Sequence, residues 1–212
     1  MKYDLSIRIT FPEEIAAALR IEKHRFISEY GSSYKSEPHI TLYLDSYTAD
    51  GYPKLLEKLR NLSIEPFAIS LLAPKIRSEK DHHRNLYIMD ISNKEILGKL
   101  HEEISNMANP YRNPFIRERT HKELERQGIH TDGSRASLEA LQIPDELFDP
   151  HITLGEIDLD KPQADIAESI KNLSSIEGVE IPISGITIFW YGKEDAAEKM
   201  SLLNEVVIPF TI

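Results

Sequence analysis

The pentapeptide Pro38-His39-Ile40-Thr41-Leu42 recurs letter for letter as Pro150-His151-Ile152-Thr153-Leu154. A five-residue identity within a chain of 212 residues points to internal duplication, and a repeat constrains the fold before any single residue does. Each copy alternates polar and apolar residues, and along a strand side chains two apart share a face. His and Thr therefore look one way while Ile and Leu anchor the strand in a core. Proline at the strand entrance lacks an N–H and is tolerated there. Tyr43 continues the polar side of the first copy, and Gly155 leaves space in the second. If an approximate two-fold axis relates the copies, His39 and His151 face each other across one cleft, with Thr41 and Thr153 behind them.

Regular elements are predicted on both sides of each copy. Residues 3–11 alternate as a strand, and Thr10 resembles a helix cap with Glu13 three positions on. The helix that follows carries Ile15, Leu19, Phe26 and Tyr30 at helical spacing and stops at Gly31. Strands are expected at 40–44, 67–72, 86–91, 151–157, 179–183, 186–191 and 206–212, and helices around 55–62, 96–107 and 166–173. The polar segment 77–85 forms a hairpin-like turn. Residues 108–148 are rich in charge, proline and glycine and read as an insertion or flap. Hairpin neighbours without a regular βαβ alternation predict an α+β fold of mainly antiparallel sheet. The expectation is one bilobal domain, with two sheets and flanking helices around the cleft.

Composition narrows function by exclusion. Lys plus Arg number 25 against 35 Asp plus Glu, a formal net charge of −10, which argues against gripping duplex DNA by its phosphates. A small nucleotide or an RNA 3′ terminus held in a locally basic pocket remains open. The absence of cysteine removes disulfides, thiolate nucleophiles and the usual structural zinc sites, and fits a reducing compartment. No apolar run reaches the roughly 18 residues that cross a bilayer, and the first residues begin a mixed strand rather than a signal segment. A cytoplasmic protein with no membrane association and no obligate protein partner is expected. Motifs for dinucleotides, P-loop phosphates and serine hydrolases are missing from the sequence.

Paired histidines and threonines suit phosphodiester chemistry. Histidine has an ordinary pKa of about 6.5, so one copy can accept a proton while the other donates one. Two threonine hydroxyls can donate to the non-bridging phosphate oxygens. No metal and no cofactor is required. With both His-x-Thr copies in a strand and helix order of this kind, the chain resembles the 2H phosphoesterase superfamily, which includes 2′-5′ RNA ligase-like proteins and cyclic nucleotide phosphodiesterases. That resemblance implies a bilobal α+β fold with a central cleft and metal-independent opening of a cyclic phosphate by water. It carries the acid and base roles onto His39 and His151 and phosphate binding onto Thr41 and Thr153. For a 2′,3′-cyclic phosphate the implied product is a 2′-phosphomonoester, with 2′-5′ ligation as the reverse reaction. Which histidine is the base is not readable from the sequence.

Arg112, Arg117, Arg119, Lys122 and Arg126 form a basic run. Its ordinary reading is a solvated helix face, and its functional reading is a flap bringing guanidinium groups to a second phosphate. Tyr43, Arg117, Arg119 and Tyr191 are the candidate substrate contacts. Trp190 and Tyr191 point to opposite faces of a late strand, one into the core and the other towards the cleft. Adjacent His82 and His83 make a poor metal pair and read as turn residues. His24, His101, His121 and His130 lack ligand spacing and read as surface helix positions. The competing reading from another class is a nucleotide-binding sensor that keeps the cleft without turnover.

Overall fold

The computed structural model describes residues 3–48, 50–79, 83–116, 118–126, 128–136, 148–193 and 200–210, with backbone only at 3, 118–120, 123, 192, 193 and 200–204. Its strands are β1 (Tyr3–Ile9), β2 (Ile40–Tyr47), β3 (Phe67–Glu79), β4 (Arg84–Ile91), β5 (Ile152–Asp158), β6 (Glu180–Ile183), β7 (Gly185–Lys193) and β8 (Met200–Pro209). Its helices are α1 (Glu13–Tyr30), α2 (Gly51–Arg60), α3 (Lys94–Ala108), α4 (Glu118–Arg126) and α5 (Ile166–Leu173). The eight strands run in the order β6-β3-β4-β5-β2-β1-β7-β8, and every pairing is antiparallel.

The seam of this sheet lies at the repeat. β2 and β5 meet through the pair Ile40↔Ile152, the residues directly after the two histidines. What reads in the sequence as two sheets is thus one continuous order, with four strands on each side of that pair. The β1–β2 register shifts between Tyr43↔Ile7 and Thr41↔Arg8. The β4–β5 register shifts between Gly155↔Tyr87 and Thr153↔Ile88. The extra residue is Leu42 in one copy and Leu154 in the other, so both motifs carry a bulge at the same position. A bulge leaves a residue unpaired and re-aims the side chains beyond it.

The bulge corrects the expectation that Tyr43 continues the polar face. Tyr43 is buried, its hydroxyl donates to Asp45 at 3.3 Å, and its ring lies 6.3 Å from His101 of α3. The space at Gly155 is filled by α1: a Cβ there would stand 2.6 Å from the Phe26 ring. Ile40, Leu42, Ile152 and Leu154 are all buried in one core with Phe26, Leu97, Leu100 and Ile104 of the helices. At about 25 cal/mol per Å² of apolar surface, this burial is what holds the two motif strands in place.

Other expectations are refined. α1 ends as predicted, with Gly31 in the left-handed region at φ 65°, where a side chain would be strained. Its start differs. The cap residue is Pro12, whose carbonyl accepts from Ala16, and the Thr10 hydroxyl instead meets that of Thr187 at 3.2 Å. His101 is no surface position: it donates from Nδ1 to the Leu42 carbonyl at 2.7 Å and stacks on Phe148 at 4.2 Å. Among the described residues no helix is long and apolar enough to cross a membrane.

Part of the charged segment is fastened to β2. The Asp45 carboxylate receives the Arg135 guanidinium and lies 3.5 Å from that of Arg112, while Asn113 donates its N–H to the Ser46 carbonyl at 2.8 Å. Burial pushes the Asp45 carboxyl up, and the two arginines oppose that shift. Arg112 therefore anchors the segment rather than facing the histidines. Tyr111 packs against the main core, and Phe115 is exposed.

Candidate active site

The site is built at the seam. Ile40 and Ile152 face the core, so the pleat turns His39, Thr41, His151 and Thr153 to the opposite side. The two imidazoles are held identically. His39 donates from Nδ1 to the Glu37 carbonyl at 2.6 Å, and His151 donates from Nδ1 to the Asp149 carbonyl at 2.6 Å. A carbonyl only accepts, so both rings carry the Nδ1 proton and present Nε2 to the cleft side. The Thr41 hydroxyl donates to His39 Nε2 at 3.1 Å. Arg77 Nη2 stands 3.5 Å from His151 Nε2.

The two halves differ in charge. His39 is 6% exposed. Burial pushes it down to about 3, and Arg8, Lys23 and His151 add like-charge repulsion that the Glu37 carbonyl opposes. His151 is half-buried. Burial and Arg77 lower it, while the Asp149 carbonyl, the Asp149 carboxylate and Glu79 oppose that shift. Those groups are interlinked: Arg77 bonds Asp149 and Glu79 at 3.3 Å, and Lys94 lies 3.2 Å from Asp149. Glu156, which follows the second motif, accepts from Arg84 at 2.7 Å.

Arg8 comes from β1, opposite Thr41 in register. Its guanidinium lies over the Phe189 ring at 4.6 Å and 5.8 Å from that of Tyr191. Tyr191 thus lies half-buried on the histidine face, whereas Trp190 turns inward against Tyr52. Beneath the second motif, Lys23 of α1 donates to the Thr153 carbonyl at 3.1 Å, and its ammonium sits 3.9 Å from the Tyr34 ring centre. Burial raises the Tyr34 phenol.

Of the residues singled out in the sequence, the fold brings together His39, Thr41, His151, Thr153 and Tyr191, and directs Tyr43 elsewhere. Arg117 and His82 lie outside the described residues, and of Arg119 only the backbone, in α4, is described. His83 falls in the β3–β4 turn. Arg8, Lys23, Tyr34 and Arg77 were not identified as site residues. Two of them left a signal. Arg8 is a charge between Ile7 and Ile9 in an apolar strand, and Lys23 stands on the Leu19–Phe26–Tyr30 stripe, where an apolar residue is due.

A family model described as the 2′-5′ RNA ligase superfamily matches residues 11–195. The chain belongs to that superfamily. Both motifs and the seam between them lie inside the matched span, whereas Arg8 of β1 precedes it. Among solved structures, Escherichia coli LigT complexed with phosphate is similar at a TM-score of 0.58 and 11% identity, over 98% of each chain. TT0787 of Thermus thermophilus is similar at 0.56 and 17% identity, also over 98% of each. These likenesses show the superfamily's fold. No curated protein matches the chain in sequence.

Proposed function

We propose that this superfamily member is a cyclic phosphodiesterase that opens a 2′,3′-cyclic or related cyclic phosphate of a nucleotide or RNA 3′ end. The observation that carries the reading is the pair of imidazoles at the seam, each locked by a backbone carbonyl with Nε2 towards the same side. In this reading water attacks phosphorus and gives its proton to Nε2 of one histidine. The P–O bond to the departing ribose oxygen breaks, and that oxygen takes a proton from Nε2 of the other. With the phosphate bound, the Thr41 hydroxyl turns from His39 Nε2 to a non-bridging oxygen, which frees that nitrogen for the water proton, and Thr153 donates to the other oxygen. Positioned proton transfers of this type contribute about 10² to 10⁴ in rate each. The side chains present supply both transfers and the anion donors, so no step calls for a metal.

The asymmetry of charge supports His39 as base and His151 as acid. A base must be free of its proton beforehand, and burial beside Arg8 and Lys23 favours that for His39. An acid must hold one, and although burial lowers His151 as well, Asp149 and Glu79 work against that shift. The relative LigT is known in complex with phosphate and with 3′-AMP, and a phosphorylated nucleoside is the ligand class carried to this chain. Ligation of 2′-5′ ends is the reverse reaction through the same groups.

The test is turnover of 2′,3′-cyclic nucleotides and cyclic-phosphate-ended oligonucleotides in excess EDTA. EDTA-resistant hydrolysis to a single phosphomonoester is expected. Failure of the folded protein to turn over any member, while still binding nucleoside monophosphates by calorimetry, would replace this reading with that of a sensor.

A further inference from the structure

Lys23 is a charge without an adequate partner. Its side chain is 3% exposed on a core-facing position of α1, and it takes part in no ion pair among the described residues. Among the described residues its ammonium has one hydrogen-bond acceptor, the Thr153 carbonyl, and one aromatic face, that of Tyr34. The carboxylate whose field reaches it is that of Glu37, which is exposed and bonded to Arg20 at 2.6 Å. The other nearby charges are unfavourable: His39 feels Lys23 and Arg8 together. A buried ammonium costs several kcal/mol unless an anion compensates it. The one buried acid of helix α1, Glu22, is engaged elsewhere, held by Arg25, Ser169 and Asn172.

We propose that the missing counter-charge is the phosphoryl group of the ligand. Lys23 is a positioning residue that holds the Thr153 strand from below and presents a buried positive field to an anion bound between Thr41 and Thr153. The proposal rests on the reading that this cleft binds a phosphoryl group, and adds that binding is coupled to the charge on a lysine the ligand does not touch. In the free protein burial pushes Lys23 down to about 7, so near neutrality it is divided between charged and uncharged forms. An anion favours the charged form, raises this value, and takes up a proton as it binds. By linkage its affinity is full below about pH 7 and falls as the pH rises.

The test is a calorimetric titration with inorganic sulfate, whose charge is constant from about pH 6 to about pH 9, so that the slope belongs to the protein. The wild type should bind sulfate on the order of tenfold more tightly at the acid end. Lys23→Met should bind at the weaker level and lose the part of the slope above about pH 7, while Lys23→Arg should keep tight binding to the alkaline end. Thermal melts serve as the folding control. Lys23→Met should be more stable than the wild type at neutral pH, with the gain vanishing towards about pH 10.5, where the unfolded lysine also loses its proton. Wild-type affinity and slope in a folded Lys23→Met protein would overturn the proposal, as would absence of sulfate binding by the wild type. The titration needs no turnover, so its failure leaves the hydrolytic reading standing. Inactivity on every cyclic phosphate would in turn leave the sulfate result intact.

Discussion

Gly155→Ala tests whether α1 docks on β5 as closely as the structure has it. The added Cβ would stand 2.6 Å from Phe26 Cδ1, 2.7 Å from Cγ and 3.0 Å from Cβ. The ring has no room to yield: Phe26 is 0% exposed and packs on Tyr87 with centroids 4.8 Å apart. Overpacking a filled core costs about 1–3 kcal/mol. At about 2–4 °C per kcal/mol for a chain of this size, Tm should fall by about 2–12 °C. Phe26→Ala alone should also destabilise, by about 3–5 kcal/mol, since it forfeits the ring contacts. In the double variant the two costs should fall short of their sum by about 1 kcal/mol or more, because truncation at Cβ removes the Cγ and Cδ1 atoms that the new methyl would meet. Urea denaturation of the four proteins gives this coupling directly. Wild-type stability in Gly155→Ala, or strictly additive costs, would refute the close packing and with it the route by which α1 carries Lys23 beneath Thr153.

Further expectations concern the site and the segment fastened beside it. If His151 is the acid, Asp149→Asn removes a carboxylate that favours its protonated form, so the alkaline limb of the kcat/KM profile should move to lower pH. Arg77→Gln removes a cation and should move it the other way, and a limb that stays fixed in both would assign the acid elsewhere. His39 is held below its ordinary value, so it contributes stability above about pH 6.5 that is lost as the pH falls towards about 3. Urea midpoints should therefore drop less between neutral and acid pH in His39→Asn than in the wild type, and equal drops would contradict the buried neutral imidazole. Asp45→Ala removes one acceptor from the partly buried Arg112 and Arg135, which should cost about 1–3 kcal/mol. It should also open the segment after α3 to trypsin, and an unchanged cleavage pattern would show that Asp45 is not its anchor.

The sequence disclosed the site best where local rules and burial agree. In His39-Ile40-Thr41 and His151-Ile152-Thr153 the alternation alone separates the cleft side from the core side, and Gly31 marks its helix end by backbone freedom alone. It failed where pairing intervenes. Nothing in the letters Leu42-Tyr43 announces a bulge, yet that extra residue sends Tyr43 to α3 and away from the histidines. Thr10 fits the cap pattern, but Thr187 of β7 competes for its hydroxyl across a long separation. Arg8 and Arg77 belong to strands far apart in sequence, and the antiparallel registers bring them beside the two motifs. Lys23 was visible as an exception on an apolar stripe, but its meaning depends on which carbonyl and which ring surround it.

The central claim is that the two copies of the motif form one catalytic centre. Its most direct measurement is kcat/KM for a 2′,3′-cyclic nucleotide in the wild type, His39→Ala, His151→Ala and the double variant, with all four shown to be folded. Groups acting as a unit are strongly non-additive. Each single substitution should therefore cost about 10² to 10⁴, and the double variant should lose little more than the worse of the two. A single variant that keeps wild-type activity, or losses that multiply in the double variant, would contradict a centre shared by both copies.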